Sequence, residues 1–247
     1  MKKKIIITGG LGYIGTELCK LYSGVSWKHE IIVIDNRFIS ERINQLRNWN
    51  IEFVHGDILN KDLLTRYLKD ADVVHHLAGV TDVPRVKSET SKVQDEIIKE
   101  VAEKGTQNIL DIINDKCKII FPSTHVVYEG IDQVKNDIKE DEPTKPVLSY
   151  STSKDNNEKQ IKDSGKNFII LRLGSVYGYS TDTMRIDIMP NLFSKIASQN
   201  GTLKLFAAGR QIKSLVPLVD VARCFKFIEE SDHIKSNLFN ITKDTLT

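Results

Sequence analysis

At 247 residues the chain is long enough to bury a sizeable core, either as one large α/β domain or as one with a small appended lobe. Its 35 basic and 33 acidic residues leave a formal charge of +2 and are spread over the whole length, which argues against a nucleic-acid footprint. The opening MKKKIII has a charged tip, but its apolar run ends after three isoleucines, short of the roughly 7–15 residues of a signal-peptide core, and nothing reaches the ~20 apolar residues of a membrane span.

In chain order, Lys4 to Ile7 reads as a strand, and Ile14, Leu18, Leu21 and Tyr22 recur behind it at helical spacing. The loop between them, ITGGLGYIG, carries glycines at 9, 10, 12 and 15. Glycine lets a backbone turn tightly and approach a pyrophosphate, and the N–H groups of the following helix start bind its charge. Such a fingerprint gains meaning from an acid roughly 20 positions on, at the end of a second strand, that can hold a ribose diol. EIIVIDN (30–36) supplies it as Asp35.

A helix is expected from about Ser40, then a strand IEFVHGD (51–57), a helix after Asn60, a strand ADVVHHLAG (71–79) and a long helix to about Asn114. CKIIFPST (117–124) and, after another helix, KNFIILRLG (166–174) complete six strands. Near-continuous apolar strands separated by helices of ten residues or more indicate a doubly wound parallel sheet with right-handed crossovers, a Rossmann-type α/β fold. The polar stretch 129–148, with two prolines, reads as a loop. From Ser175 the pattern loosens: a helix near 189–199, a strand LKLF (203–206), a helix near 220–230 and NLFNIT (237–242). The expected organisation is a dinucleotide-binding domain over 1–174 and a small lobe over 175–247 interwoven with it.

Cys19, Cys117 and Cys224 are odd in number and far apart, which suits a reduced, cytoplasmic chain with buried thiols. The six histidines show no metal spacing, and no metal is expected. If DVVHHL is a strand, His75 and His76 point to opposite faces.

YSTSK places Tyr150 and Lys154 four apart in a helical stretch opened by Ser149, on one face and a turn apart. A neighbouring ammonium is then expected to lower the Tyr150 pKa from about 10 and make it a usable base.

Taken with TGGLGYIG (8–15), Asp35-Asn36, GDI (56–58), HLAG (76–79), KGTQNIL (104–110), Thr124, LRLGSVYG (171–178) and LVDVA (218–222), the chain resembles the extended short-chain dehydrogenase/reductase family, and within it the NAD-dependent nucleotide-sugar epimerases and dehydratases. The resemblance runs over nearly the whole chain. It implies that Gly9, Gly12 and Gly15 form the pyrophosphate loop, with backbone donors from Tyr13 and Ile14. Asp35, with Asn36 beside it, would bind the adenosine ribose, Asp57 and Ile58 the adenine, and Leu77, Ala78, Gly79 and Leu173 the nicotinamide side. Thr124 would bond the reacting sugar hydroxyl and Tyr150 act as general base. Lys154 would tune Tyr150 and hold the nicotinamide ribose. Thr81, Thr124, Ser175 and Lys213 would touch the substrate. NAD is expected over NADP because the Asp35 carboxylate repels a 2′-phosphate, although Arg37 weakens this by offering a phosphate partner.

The sequence also departs from the family's pattern. The Asn before GT is replaced around Ala102, which is expected to loosen the site. An Asn that precedes VYG in the family is Ser175 here, and an Arg is Lys213, which lacks the bidentate fork for a phosphate. The acid–base pair that dehydratases carry after the catalytic Thr is His125-Val126, and valine cannot move a proton. The expected activity is therefore C4 epimerisation of a UDP-sugar through a keto intermediate. Alternatives are a reductase or dehydratase of a nucleotide-linked sugar and a non-catalytic NAD-binding regulator. Relatives pair through the helices at about 93–114 and 149–164, so a homodimer is expected. The chain stops at NITKDTLT where family members usually continue, so the expectation is a shortened form or an incomplete pocket.

Overall fold

Short runs of isoleucine, valine and leucine form the strands of the large sheet: Lys4–Thr8 (β1), Glu30–Asp35 (β2), Glu52–His55 (β3), Val73–His76 (β4), Lys118–Thr124 (β5), Asn167–Leu173 (β6) and, near the end of the chain, Asn237–Ile241 (β9). The computed structural model describes residues 2–80, 91–180, 184–210 and 212–246. The sheet order is β3-β2-β1-β4-β5-β6-β9, with every pairing parallel. The order reverses at β1, which opens a crevice at the carboxyl ends of β1 and β4, the usual ligand site of such sheets.

Alternate residues of each strand feed two cores. Ile5 and Ile7 of β1 pack with Leu18 and Tyr22 of α1 (Tyr13–Ser23), Ile43 of α2 (Ser40–Asn48) and Phe225 of α8 (Leu218–Glu230). Ile6 and Ile34 pack on the other face with Leu64 of α3 (Lys61–Leu68), Ile109 of α5 (Gly105–Ile112) and Ile161 of α6 (Ser149–Asp163). Each fully buried side chain of this size contributes about 1.5–3 kcal/mol. His75 and His76 fall on opposite faces, as the strand period requires: His75 Nε2 meets Tyr22 Oη at 2.8 Å, and His76 Nε2 meets Thr106 Oγ1 at 3.0 Å. Burial lowers both imidazoles to about 3, so both stay neutral.

The helix expected up to Asn114 is not one regular helix. α4 (Lys92–Lys99), capped by the Ser91 hydroxyl, runs into a π-helical turn over Glu100–Lys104 before α5 continues. The wide turn frees carbonyls for other partners. Asn157 Nδ2 of α6 donates to Ala102 O at 3.0 Å, and Gln160 Nε2 to Glu103 O at 3.2 Å.

Residues from Ser175 onward are divided between two sheets. Ser175–Tyr177 (β7) pairs in parallel with Lys213–Pro217 (β8), and β8 pairs antiparallel with Asp244–Leu246 (β10), whereas β9 joins the large sheet beside β6. α7 (Met189–Ser198) lies between β7 and β8 in sequence. The strand expected at LKLF is absent: residues 202–205 form no regular element and a 3₁₀ turn follows at Phe206–Gly209. None of the described strands pairs with this stretch, so its alternating apolar residues have no ladder to join.

Candidate active site

The glycine loop sits where β1 gives way to α1. Gly9 has φ +71°, and a Cβ there would lie 2.7 Å from Ala78 Cα and N, so only glycine lets the loop press against the end of β4. A Cβ at Gly15 would meet Gly9 O at 2.6 Å. Among the described residues no side chain caps the first turn of α1, and that turn contains no acid. The N–H groups of Tyr13, Ile14 and Gly15 are therefore left for an anion, and the loop fits a dinucleotide pyrophosphate.

Asp35 ends β2 beside this loop and is turned inward. Its side chain is only 2% exposed. Oδ2 accepts from Leu11 N–H at 3.0 Å, and Oδ1 accepts from Arg37 N–H at 3.0 Å and from Arg37 Nε at 3.2 Å. Asn36 Nδ2 donates to Asp57 Oδ2 at 2.9 Å, and Asp57 Oδ1 accepts from Leu59 N–H at 2.9 Å. Ile58 is buried against Gly105, and Asn108 Nδ2 donates to its carbonyl at 3.0 Å. The segments expected around adenosine thus converge.

The Thr8 hydroxyl accepts from Ala78 N–H at 3.3 Å and lies 3.0 Å from His76 Nδ1, so the buried histidine ties the Leu77-Ala78-Gly79 turn to β1 and, through Thr106, to α5. Ala78, Gly79, Ala102, Thr106, Tyr150 and Lys154 line a cavity of about 20 Å³, enough for one water. Lys154 Nζ donates to Pro122 O at 2.8 Å and stands 4.3 Å from the centre of the Phe121 ring and 6.0 Å from that of Tyr150. Burial brings its pKa down to about 8.

Tyr150 departs from expectation. Its pKa is raised, not lowered, because burial outweighs the opposing charge of Arg185, and the nearby ammonium is directed at the Pro122 carbonyl instead. Thr124, buried at the end of β5 and opposite Leu173 in register, accepts through Oγ1 from Val126 N–H at 3.3 Å. His125 Nδ1 meets Leu173 O at 3.0 Å, and burial lowers its pKa, with Lys213 acting in the same direction. Lys213 opens β8, two residues before Leu215, the register partner of Ser175 at the start of β7. Thr81 lies outside the described residues.

The NAD dependent epimerase/dehydratase family matches residues 5–242, nearly the whole chain. The protein belongs to that family. CDP-paratose 2-epimerase from Salmonella typhi is 29% identical, over 96% of this chain and 78% of the relative. A putative UDP-glucose 4-epimerase from Methanocaldococcus jannaschii is 32% identical, over 89% of this chain and 71% of its own. UDP-glucuronic acid 4-epimerase from Bacillus cereus, solved with UDP-glucuronic acid and NAD, superposes with a TM-score of 0.82 at 28% identity, over 100% of this chain and 79% of that one. NAD is the cofactor of this family, and the glycine loop is built to receive it.

Several residues that shape this family member's site carry no local motif. Tyr13, expected only as a backbone donor, donates its hydroxyl to Gly178 O, and Asn191 Nδ2 donates to Tyr13 Oη at 3.2 Å, which joins α1 to the lobe. Glu129 caps the entry to α6, accepting from the N–H groups of Val147 and Leu148, each at 2.8 Å, so Ser149 is the first helical residue and not the anchor. Glu158, two turns beyond Tyr150, pairs with Arg172 of β6 at 2.7 Å and accepts from Ser123 Oγ at 2.5 Å. A buried arginine in an apolar strand and an acid at a spacing of four beyond Lys154 were the available signals.

Proposed function

We propose that the protein is a nucleotide-sugar epimerase acting at C4 of a UDP-sugar. One observation carries the reading: Tyr150 and Lys154 share a cavity with Ala78 and Gly79 at the carboxyl end of the sheet, while β5 ends in Thr124 followed by His125 and Val126. Bound NAD supplies a hydride acceptor that can return the hydride, so the sugar leaves at its original oxidation level. Gly9, Gly12 and Gly15, with the N–H groups of Tyr13 and Ile14, hold the pyrophosphate. Asp57 and Ile58 hold the adenine, and Leu77, Ala78, Gly79 and Leu173 flank the nicotinamide.

Tyr150 Oη removes the proton of the C4 hydroxyl as general base and returns it after the keto sugar has turned over. Thr124 Oγ1 bonds that hydroxyl, and the Lys154 ammonium turns from the Pro122 carbonyl to stabilise the tyrosinate as it forms and to bind the nicotinamide ribose. Ser175 and Lys213 contact the nucleotide diphosphate of the substrate, and Thr81 also touches the substrate. Water elimination needs an acid–base pair after Thr124; Val126 has no proton to move, and His125 is tied to the Leu173 carbonyl.

A homodimer through α4 and α6 is supported by Val93 and Ile97, 68% and 50% exposed and one turn apart on α4. A cytoplasmic location is supported by the free cysteines; no helix among the described residues is long and apolar enough to cross a membrane. The test is conversion of UDP-galactose to UDP-glucose with added NAD, followed by chromatography and by absorbance of NADH. Product without net NADH is expected; stoichiometric NADH, or a product lacking the elements of water, overturns the assignment.

A further inference from the structure

The environment of Asp35 bears on which dinucleotide the site accepts. A carboxylate that faces the adenosine ribose takes its two hydroxyls and repels a 2′-phosphate. Here both carboxylate oxygens are engaged inside the protein, by Leu11 N–H and by the backbone and guanidinium of Arg37. The Arg37 side chain is 48% exposed against 2% for Asp35, so an approaching ribose meets the cation before the acid. Arg37 Nη2 also lies 3.7 Å from where a Gly12 Cβ would stand, which puts the guanidinium on the pyrophosphate loop. A second guanidinium, of Arg42, donates to the Leu11 carbonyl. The other nearby acid, Asp57, is occupied by Asn36 and by Leu59 N–H.

We infer that the adenosine-ribose site admits a 2′-phosphate, so that NADP binds as well as NAD, and that Arg37 is the residue that sets the ratio. The inference rests on reading the glycine loop as the dinucleotide site. In this arrangement Asp35 acts mainly as a brace for the loop through Leu11. Its charge is neutralised by Arg37, whose fork offers paired donors to phosphate oxygens. When NAD binds, Arg37 competes with the ribose hydroxyls for the carboxylate. Removing it therefore favours NAD and disfavours NADP.

Calorimetric titration of the full chain with NAD and with NADP tests this, on the wild type, Arg37→Ala and Arg37→Lys. NADP is expected to bind within about tenfold of NAD, and Arg37→Ala to raise the ratio of the NADP to the NAD dissociation constant by about tenfold or more, the effect of one lost charge-assisted bond. Arg37→Lys keeps the charge without the fork and should give an intermediate ratio. NAD binding by Arg37→Ala also reports that the variant is folded. NAD binding with NADP about 100-fold weaker or worse, against the pairing expected of a neutralised site, overturns the inference alone. An Arg37→Ala protein with an unchanged ratio does the same. A wild-type chain that binds neither dinucleotide overturns the reading of the loop as well.

Discussion

Glu158→Gln isolates the buried pair that holds α6 against the sheet. Glu158 and Arg172 are 1% and 4% exposed at their side chains, and they meet through two parallel bonds, Nε to Oε1 at 2.9 Å and Nη2 to Oε2 at 2.7 Å. Ser123 Oγ adds a third bond to Oε1 at 2.5 Å. The glutamine keeps the shape and one acceptor but removes the charge. Arg172 is then left buried with only neutral acceptors, the Tyr128 hydroxyl and Glu140 O. Breaking a buried pair this way costs about 3–5 kcal/mol, and the retained amide oxygen puts this variant near the lower end. For a chain of this size each kcal/mol lowers the melting temperature by about 2–4 °C, so a drop of about 6–12 °C is expected by circular dichroism. Lys162, on the exposed side of Glu158 at 3.6 Å, contributes little. Arg172→Met combined with Glu158→Met should recover most of the loss, because a neutral pair of similar volume carries no desolvation cost. A single variant that melts within about 2 °C of the wild type would refute the assignment of the pair as a lock.

Tyr150→Phe should lose about 10²–10⁴-fold in epimerisation rate while binding NAD nearly as the wild type does, since only the hydroxyl is removed; a rate within tenfold would exclude Tyr150 as the base. Gly15→Ala brings a Cβ to 2.6 Å from Gly10 Cα and from Gly9 O, so the loop must shift, and calorimetry should show NAD affinity lowered by about tenfold or more; unchanged affinity would separate the loop from cofactor binding. Lys154 has its pKa lowered from 10.5 to about 8 by burial, so between those values the unfolded chain binds the extra proton and stability rises with pH. Lys154→Met lacks that gain: the wild-type advantage in urea midpoint should grow from pH 8 to pH 10, and a flat or shrinking difference would show that the ammonium is not buried at a cost.

The large sheet was legible because its information is local. Apolar runs such as KIII and CKIIFPST are bounded by glycines, prolines and acids, and their spacing by helices leaves little choice but parallel crossovers. LKLF reads equally well as a strand, but a strand exists only where a neighbouring strand pairs with it, and none of the described strands pairs with residues 203–206. That condition is tertiary and cannot be read from four residues. The same holds for the π turn at Glu100–Lys104, whose freed carbonyls are taken by Asn157 and Gln160 of α6, more than fifty positions away.

The site divides along a similar line. Positions fixed by spacing within one turn, the glycines and the Tyr150 and Lys154 pair, were readable; the charge environment of each was not. Asp35 turns inward because Leu11 N–H lies within 3.0 Å of its Oδ2, and Tyr150 stays protonated more firmly because it is buried, while the Lys154 ammonium donates to Pro122 O. One part of that environment could have been found. Arg172 stands inside NFIILRL, a strand apolar enough to be buried on both faces, and a charge there demands a partner of opposite sign. Tyr150, Lys154 and Glu158 repeat at a spacing of four, so the face of α6 that carries the proposed chemistry also carries an acid toward the sheet. The arginine in the strand and the acid on the helix each lack a local reason to exist. Pairing them fixes how α6 docks, and hence where the Tyr150 hydroxyl lies relative to Thr124, one residue beyond Ser123, which the same glutamate holds.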